Sequence, residues 1–268
     1  MNPSDEITIC FKVCPGRSNE IYNAISSMLE ISPYAKNVLI IFNPYDPVDH
    51  DSLLDISEIR HSDIIKLSKF ESLAKAWNQS LLFSNTRYCL MLDDDVVFKD
   101  EKVLEKIYEK HQEGFPLVHV TENWSGFSID KALIPKVGWF DENYSYAWED
   151  IDFRYRMARE GIPSYRFEED LIRHLRSSGG RVQERWDASS KYFFEKWDIE
   201  KFVNENHNQY EDYKIGIDFS SPESRVALQQ TGFFRNTGPR ELIPALQTPN
   251  FYPVEMQKYD YLYNRKMQ

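Results

Sequence analysis

Long apolar runs, cysteine and net positive charge are what this sequence lacks. Its 268 residues include three cysteines, an odd number without the spacing of zinc ligands, so we predict neither a disulfide framework nor a zinc site. A formal net charge of −11 argues against coating nucleic acid or anionic membrane through bulk electrostatics, although it does not exclude a local basic groove.

Strongly apolar runs are no longer than about the length of VLIIF (residues 38–42), whereas a helix that spans a bilayer needs ~20 such residues. The start, MNPSDEIT, also lacks the basic and apolar regions of a signal peptide. We therefore expect a soluble protein of the reducing cytoplasm. With 41% hydrophobic and 15% aromatic residues, the chain has ample material for a packed core.

Apolar strands alternate with amphipathic helices in the first half of the chain. ITICFKV (7–13), NVLIIFN (37–43) and YCLMLD (88–93) are typical of strands, and ESLAKAWNQSLLF (71–83) has apolar residues at helical spacing. Between residues 43 and 71 the chain is turn-rich and polar. This alternation predicts an α/β fold with a mostly parallel sheet and helices on both faces. In such sheets, ligands bind beyond the carboxyl ends of the strands, where the strand order reverses.

Three aspartates follow the strand in RYCLMLDDDVVF (87–98). Neighbouring carboxylates repel one another and are costly to bury without partners, so a compensating positive charge is expected nearby, either a metal ion or a lysine. By strand alternation, Asp93 and Asp95 point to the same side and Asp94 to the other. An oxygen-rich site of this kind suits Mg²⁺ or Mn²⁺.

The order of several motifs resembles that of inverting family-two glycosyltransferases, which have the Rossmann-like GT-A fold. MLDDDVVF resembles their Asp-x-Asp motif, and SLAKAWNQSL resembles the helix before it. The stretch SGFSIDKALIPKVGWFDENYSYAWEDIDFRYRMAREG (125–161) resembles their acceptor-side segment, and SKYFFEKWD (190–198) resembles their closing segment. This implies a catalytic domain of residues 1–201 and a C-terminal extension, 202–268, for acceptor binding or oligomerisation.

The resemblance implies transfer of a sugar from a nucleotide diphosphate sugar, by default a UDP-sugar, to a hydroxyl acceptor, using Mn²⁺ or Mg²⁺. Inversion is favoured, because the acceptor side offers a base and no second nucleophile is evident, and retention is the alternative. It makes Asp95 the direct metal ligand, assigns Asp93 to the ribose or a metal-bound water, and lets Asp94 meet nucleotide or sugar hydroxyls. His174, in IRHLRSSGG, stands where the family often has a metal-binding histidine, and a nitrogen ligand favours Mn²⁺.

Further residues are assigned to the donor by the same resemblance. In the Arg-rich loop after His174, arginines could neutralise phosphate oxygens, or could belong to a solvated loop that pairs with the acidic body of the protein. Where the family has a run such as Asp-Asp-Gly-Ser to bind uracil, this chain has FNPYD. The predicted donor contacts are Pro15, Gly16, Arg17, Asn43, Asp46, Asn78, Arg176 and Arg181.

WEDIDFRYRM (148–157) places acidic residues at the start of a helix. The resemblance makes Asp150 the general base that deprotonates the acceptor hydroxyl, with Glu149, and Asp152 as a further candidate, binding acceptor hydroxyls. The ordinary alternative is that acids stabilise helix N-termini by ~0.3–1 kcal/mol. Because a helix N-terminus lowers a carboxyl pKa, burial or Glu149 must offset this effect for a base. The flanking tryptophans, which could stack on sugars or pack in the core, are Trp124, Trp139 and Trp148.

Two acceptors fit the sequence: a saccharide, which is the family default, and a hydroxymethylated base in DNA. For the second, the Arg-rich loop and the aromatic residues of the extension could meet a phosphate backbone and a flipped base. The extension could equally be a dimer arm. The rival enzyme class is a nucleotidyltransferase acting on sugar phosphates. It predicts a Gly-rich loop with a lysine after the first strand, whereas CPGRSNE has one glycine and an arginine.

Overall fold

The structure of the protein is a computed structural model, which describes part of the chain. The described residues are 3–13, 23–24, 26–27, 37–42, 62–66, 72–121, 124–144, 147–175 and 183–196. The chain divides into two compact units. One comprises Met1–Gly138 and Tyr165–Gly180, and the other comprises Trp139–Ser164 and Arg181–Gln268.

The first unit is built on a seven-stranded sheet with strand order β3-β2-β1-β4-β7-β6-β8. The strands are β1 (Ile7–Val13), β2 (Val38–Phe42), β3 (Ser62–Lys66), β4 (Tyr88–Asp93), β6 (Leu117–His119), β7 (Gly126–Asp130) and β8 (Ser164–Arg166). Strands β3, β2, β1 and β4 pair in parallel, whereas β7 pairs antiparallel with both β4 and β6. The strands on either side of β1 are almost wholly apolar because both faces of the sheet are covered.

The strand order reverses beside β1. The chain passes from β1 outward to β2 and β3, and then returns to the other side of β1 as β4. At the carboxyl ends of these two parallel strands, Lys12 pairs in register with Asp93. The aspartates therefore lie at the position where open α/β sheets bind their ligands.

A separate two-stranded antiparallel ribbon follows the aspartates. It joins β5 (Val96–Phe98) to β9 (Ile172–His174), with Val96 opposite His174. The backbone N–H of Leu175 also donates to the carbonyl of Asp95 at 2.7 Å. The ribbon thus holds His174 beside the aspartates, although the two segments are far apart in the sequence.

Helices of the first unit begin and end at recognisable signals. Those with described bounds are α1 (Pro3–Glu6), α2 (Leu73–Phe83), α3 (Val103–Gln112), a 3₁₀ turn (Lys131–Leu133) and α4 (Ile134–Val137). Helix α2 starts at Ser72, whose hydroxyl accepts from the backbone N–H of Lys75 at 3.3 Å. Helix α3 ends before Gly114, which has φ of +97° and so takes the conformation that glycine adopts at little cost.

The second unit contains α5 (Glu149–Arg159) and α6 (Gln183–Lys196). Its core is aromatic. Phe140 stacks on Phe153 with ring centroids 4.3 Å apart, and Phe193 of α6 packs against Trp148 and Tyr155 of the α5 region. As the sequence predicted, α5 opens at its acidic residues, beginning at Glu149. It ends before Gly161, which has φ of +67°.

Most elements predicted from the sequence are confirmed, whereas several short strands, β3 among them, were not predicted. The strands at 7–13, 37–43 and 88–93 and the helix at 71–83 are present within a residue or two of the predicted bounds. Strand β3 lies in the stretch that seemed merely polar, because SDIIK has only two strongly apolar residues and no clear alternation. Among the helices that the structure describes, none has an apolar stretch long enough to cross a membrane.

Candidate functional site

The three aspartates form the end of β4 and the turn into β5. Asp93 is the last residue of β4, and its backbone N–H donates to the carbonyl of Ser125 at 3.0 Å. Asp94 and Asp95 make the turn and are only 2% and 3% exposed. Carboxylates that are this well buried require partners of opposite charge.

His174 and the aspartates bring three potential metal ligands together. The Nε2 atom of His174 lies 3.0 Å from Oδ1 of Asp95. One ligand atom from each of Asp93, Asp95 and His174 lies within 4.8 Å of the other two. Two carboxylate oxygens and one imidazole nitrogen are a donor set that suits a divalent cation such as Mn²⁺, so these residues fit a metal ion.

A lysine also faces the aspartates. The Nζ atom of Lys12 lies 3.6 Å from Oδ1 of Asp93, and the two side chains are 16% and 26% exposed. The pKa of the Asp93 carboxyl is raised, chiefly by burial and also by the negative charge of Asp95. Lys12 and His174 act in the opposite direction and lower this pKa. Sequence reasoning named a lysine only as a general alternative to metal. The charged residue that interrupts ITICFKV, one residue before the strand ends, was the available signal.

Gly126 allows the strands around the aspartates to approach closely. A Cβ atom at this position would lie 2.3 Å from Cδ1 of Ile172 on β9 and 2.8 Å from Cγ2 of Val120. Gly126 pairs in register with Leu92, which precedes Asp93. Any larger residue would force Ile172 or Val120 to move, so this glycine supports the geometry of the site. The sequence did not indicate this role, because Gly126 was noted only as part of the segment that resembles the acceptor side of family-two enzymes.

In the second unit, the acidic start of α5 follows two strained residues. Ala147 and Trp148 have φ of 57° and 71°, a left-handed conformation that is costly for residues other than glycine. Asp150 is partly exposed, and burial raises the pKa of its carboxyl, while Arg154 and backbone N–H groups of the first turn lower it. Burial thus supplies the offset that a base at a helix N-terminus needs. Glu149 is only 2% exposed, which argues against the predicted contact with an acceptor.

Asp152 belongs to a buried charge network, which corrects the suggestion that it binds acceptor hydroxyls. It is 0% exposed and accepts from Nε of Arg156 at 2.9 Å and from Nζ of Lys196 at 2.7 Å. The same Lys196 ammonium donates to Asp141 at 2.7 Å, and the Tyr144 hydroxyl donates to Asp152 at 3.2 Å. Two carboxylates balance two cations, so the network joins α5 to α6 and has a structural role.

Two of the three tryptophans and two predicted donor contacts are buried. Trp139 is 0% exposed and Trp148 is 2% exposed, so both pack in the core and cannot stack on a sugar. Trp124 is partly exposed, with Trp77 and Phe127 against it. Asn78 is 0% exposed on α2, where a nucleotide cannot reach it, because its helix face is covered. Asp94, at 2%, is likewise poorly placed to contact hydroxyls.

The remaining predicted donor contacts and the proposed extension lie outside the described residues. They are Pro15, Gly16, Arg17, Asn43, Asp46, Arg176, Arg181 and residues 202–268.

Comparison with protein families decides the class of protein. The model of the family "Glycosyl transferase family 2" matches residues 7–173, which is more than half of the chain. The chain belongs to this family. None of the curated proteins matches it in sequence.

Among solved structures, this chain is similar to the mannosyltransferase PcManGT from Pyrobaculum calidifontis, solved in complex with GDP-Man and Mn²⁺. The TM-score is 0.58 at 11% identity, over 99% of this chain and 88% of the mannosyltransferase. At this identity the likeness concerns the fold. The predicted α/β fold of the GT-A type is thereby confirmed, and the protein is a glycosyltransferase rather than a nucleotidyltransferase.

Proposed function

We propose that this glycosyltransferase is a metal-dependent enzyme that moves one sugar from a nucleotide diphosphate sugar to a hydroxyl acceptor, with inversion. The observation that carries the proposal is the group of Asp93, Asp95 and His174 at the point where the strand order reverses. The Mn²⁺ and GDP-Man in the similar mannosyltransferase support it, and they add GDP to UDP as a donor nucleotide to be tested.

Asp95 and His174 would hold the metal ion, with Asp93 as a third ligand or as the ligand of a metal-bound water. An ion needs a far smaller opening than a sugar, so the burial of Asp95 does not conflict with this role. When bound, a divalent cation disperses the negative charge that develops on the diphosphate leaving group. The nitrogen ligand favours Mn²⁺ over Mg²⁺.

Asp150 would act as the general base. Its carboxylate takes the proton of the acceptor hydroxyl as the hydroxyl oxygen attacks the anomeric carbon, and the carbon–oxygen bond to the diphosphate breaks on the opposite side. Its raised pKa strengthens it as a base, while Arg154, one helical turn further on, keeps its ionised form accessible. A single displacement of this kind inverts the anomeric configuration.

A saccharide is the acceptor that we favour. The formal charge of −11 weighs against a phosphate backbone as partner, because like charges repel. The arguments for a hydroxymethylated DNA base rest on the Arg-rich loop and the extension, which lie outside the described residues. The DNA base is therefore the second acceptor to be tested.

The experiment incubates the protein with a panel of UDP- and GDP-sugars and simple saccharides, in Mn²⁺ or in a chelator, and measures the release of nucleoside diphosphate. Asp95→Asn should lower the rate by at least ~100-fold. Asp100→Asn is a matched control, since Asp100 pairs with Lys106 at the start of α3 in the same unit. Proton NMR of the product reports the anomeric configuration. Full activity in chelator, or in Asp95→Asn, would contradict the proposed metal dependence. A product with retained anomeric configuration would contradict inversion.

A further inference from the structure

Lys12 and Asp93 form an ion pair at the carboxyl ends of the two strands that flank the switch point. They are register partners on β1 and β4, so the sheet itself brings them together. The ammonium lies 3.6 Å from the carboxylate, and the Lys12 side chain is only 16% exposed. The pair is thus partly buried and is screened less by solvent than an exposed surface ion pair.

The Asp93 carboxylate both pairs with Lys12 and belongs to the candidate metal site. Oδ1 of Asp93 faces Lys12, and Asp93 is also one of the three residues whose ligand atoms converge with those of Asp95 and His174. A divalent ion held by these residues would be repelled by the ammonium and would compete with it for Asp93. Because Lys12 lies on β1 in register with Asp93, its ammonium stays close to the site.

We propose that Lys12 is a resident counter-ion that sets the metal affinity of the site. It neutralises Asp93 before the metal arrives and weakens the binding of the metal alone. The negative charge of a bound diphosphate compensates both the Lys12 ammonium and the metal ion. The metal therefore binds more tightly once the diphosphate is present, and metal and donor bind cooperatively. This inference rests on the proposed metal site, in which Lys12 is a positioning residue and not a ligand.

The magnitude follows from Coulomb's law. A +1 and a +2 charge roughly 6 Å apart repel each other by about 1.4 kcal/mol even in a water-like medium, which corresponds to about tenfold in affinity. Removing the ammonium should therefore tighten the binding of Mn²⁺ in the absence of nucleotide by about tenfold or more. The gain in Mn²⁺ affinity on adding a nucleoside diphosphate should be smaller without Lys12.

The test measures free Mn²⁺ by electron paramagnetic resonance in titrations of the full chain at about pH 8, where carboxylates are ionised. Lys12→Met should bind Mn²⁺ about tenfold more tightly than the wild type. Lys12→Arg, which keeps the charge, should stay near the wild-type value. Lys106→Met removes the lysine of another Lys–Asp pair in the same unit and should also have no effect. Each titration is repeated with UDP and with GDP.

An unchanged or weaker affinity in folded Lys12→Met, with normal binding by the wild type, would overturn the role of Lys12 and leave the metal site standing. Equal Mn²⁺ binding by wild type and Asp95→Asn, or none by either, would overturn the metal site and this inference with it. If Lys12→Met does not fold, Lys12→Gln replaces it. The same tightening is then required of that variant, and its absence counts against the proposal.

Discussion

At the scale of single residues, the candidate site is a problem of charge compensation. Three consecutive aspartates lie at a strand end, two of them almost fully buried. The structure places a lysine and a histidine against them, Lys12 at Asp93 and His174 at Asp95. The sequence left open whether a metal ion or a lysine compensates the aspartates. The structure shows that a lysine does so at Asp93, and that Asp93, Asp95 and His174 together could also hold a metal ion.

Asp150→Asn tests the proposed base. Donor binding, measured by calorimetry, should stay within about twofold of the wild type, because the proposal assigns Asp150 to the acceptor hydroxyl and not to the donor. Turnover should fall by about 10²–10⁴, the usual contribution of general base catalysis. In the wild type, turnover should decline on acidification at a pH above that expected for an ordinary aspartate, because burial raises the pKa of Asp150.

Glu195→Gln is the control for Asp150→Asn, since Glu195 is an exposed carboxylate in the same unit, paired with Lys191 on α6. It should leave turnover and donor binding unchanged. Near-normal turnover in Asp150→Asn would place the base elsewhere.

At the scale of elements, the alternation in β1 and the helical spacing in α2 predicted those two elements, and short uninterrupted apolar runs predicted β2 and β4. It did not predict the β5–β9 ribbon, whose register joins residues 78 positions apart (174 − 96). His174 was found only through the resemblance, since a lone histidine carries no periodic signal. The buried network around Asp152 was missed because a helix-terminal acid looks the same whether it faces a substrate or a lysine.

Gly126→Ala tests whether the close approach of β7 and β9 shapes the site. The added Cβ would clash with Ile172 and Val120, so we expect a loss of about 1–3 kcal/mol in the free energy of unfolding, measured in urea. Because Ile172 lies on the strand that carries His174, Mn²⁺ affinity should fall as well.

Ile172→Val supplies the control for Gly126→Ala, since valine lacks the Cδ1 atom that the new Cβ would meet. The double variant should be more stable than the sum of the single changes predicts. If the losses in the free energy of unfolding simply add, or if Gly126→Ala causes no loss, the close approach of β7 and β9 does not limit stability.

The docking of α3 on the sheet should depend on pH through His111. This buried histidine contacts the carbonyl of Phe115 through Nδ1 and the hydroxyl of Ser128 through Nε2, each at 2.8 Å. Burial lowers its pKa from 6.5 to about 4. The folded state therefore binds fewer protons than the unfolded state between these values, and stability is lost as pH falls from about 6.5 to about 4, by up to ~3 kcal/mol.

Urea unfolding of the wild type and of His111→Gln between about pH 7 and pH 4.5 measures this contribution. The variant should be less stable at neutral pH and should lose less stability on acidification. The same slope in both proteins would assign the pH dependence to other groups.

At the scale of the whole molecule, net charge separates the two acceptors. Binding of DNA to a chain of charge −11 would have to rely on a local basic surface and should weaken steeply with salt. Binding or transfer to a saccharide should barely respond to salt between about 50 and 200 mM. A steep loss of transfer with salt, together with activity on hydroxymethylated DNA, would reverse the preference for a saccharide.

The central claim is that Asp93, Asp95 and His174 hold a divalent cation at the strand switch point. Anomalous scattering from crystals grown with Mn²⁺ and UDP or GDP tests it most directly. We predict one strong peak at about 2.0–2.6 Å from a carboxylate oxygen of Asp95 and from Nε2 of His174. A peak elsewhere, or no peak while Lys12 still faces Asp93, would contradict the account.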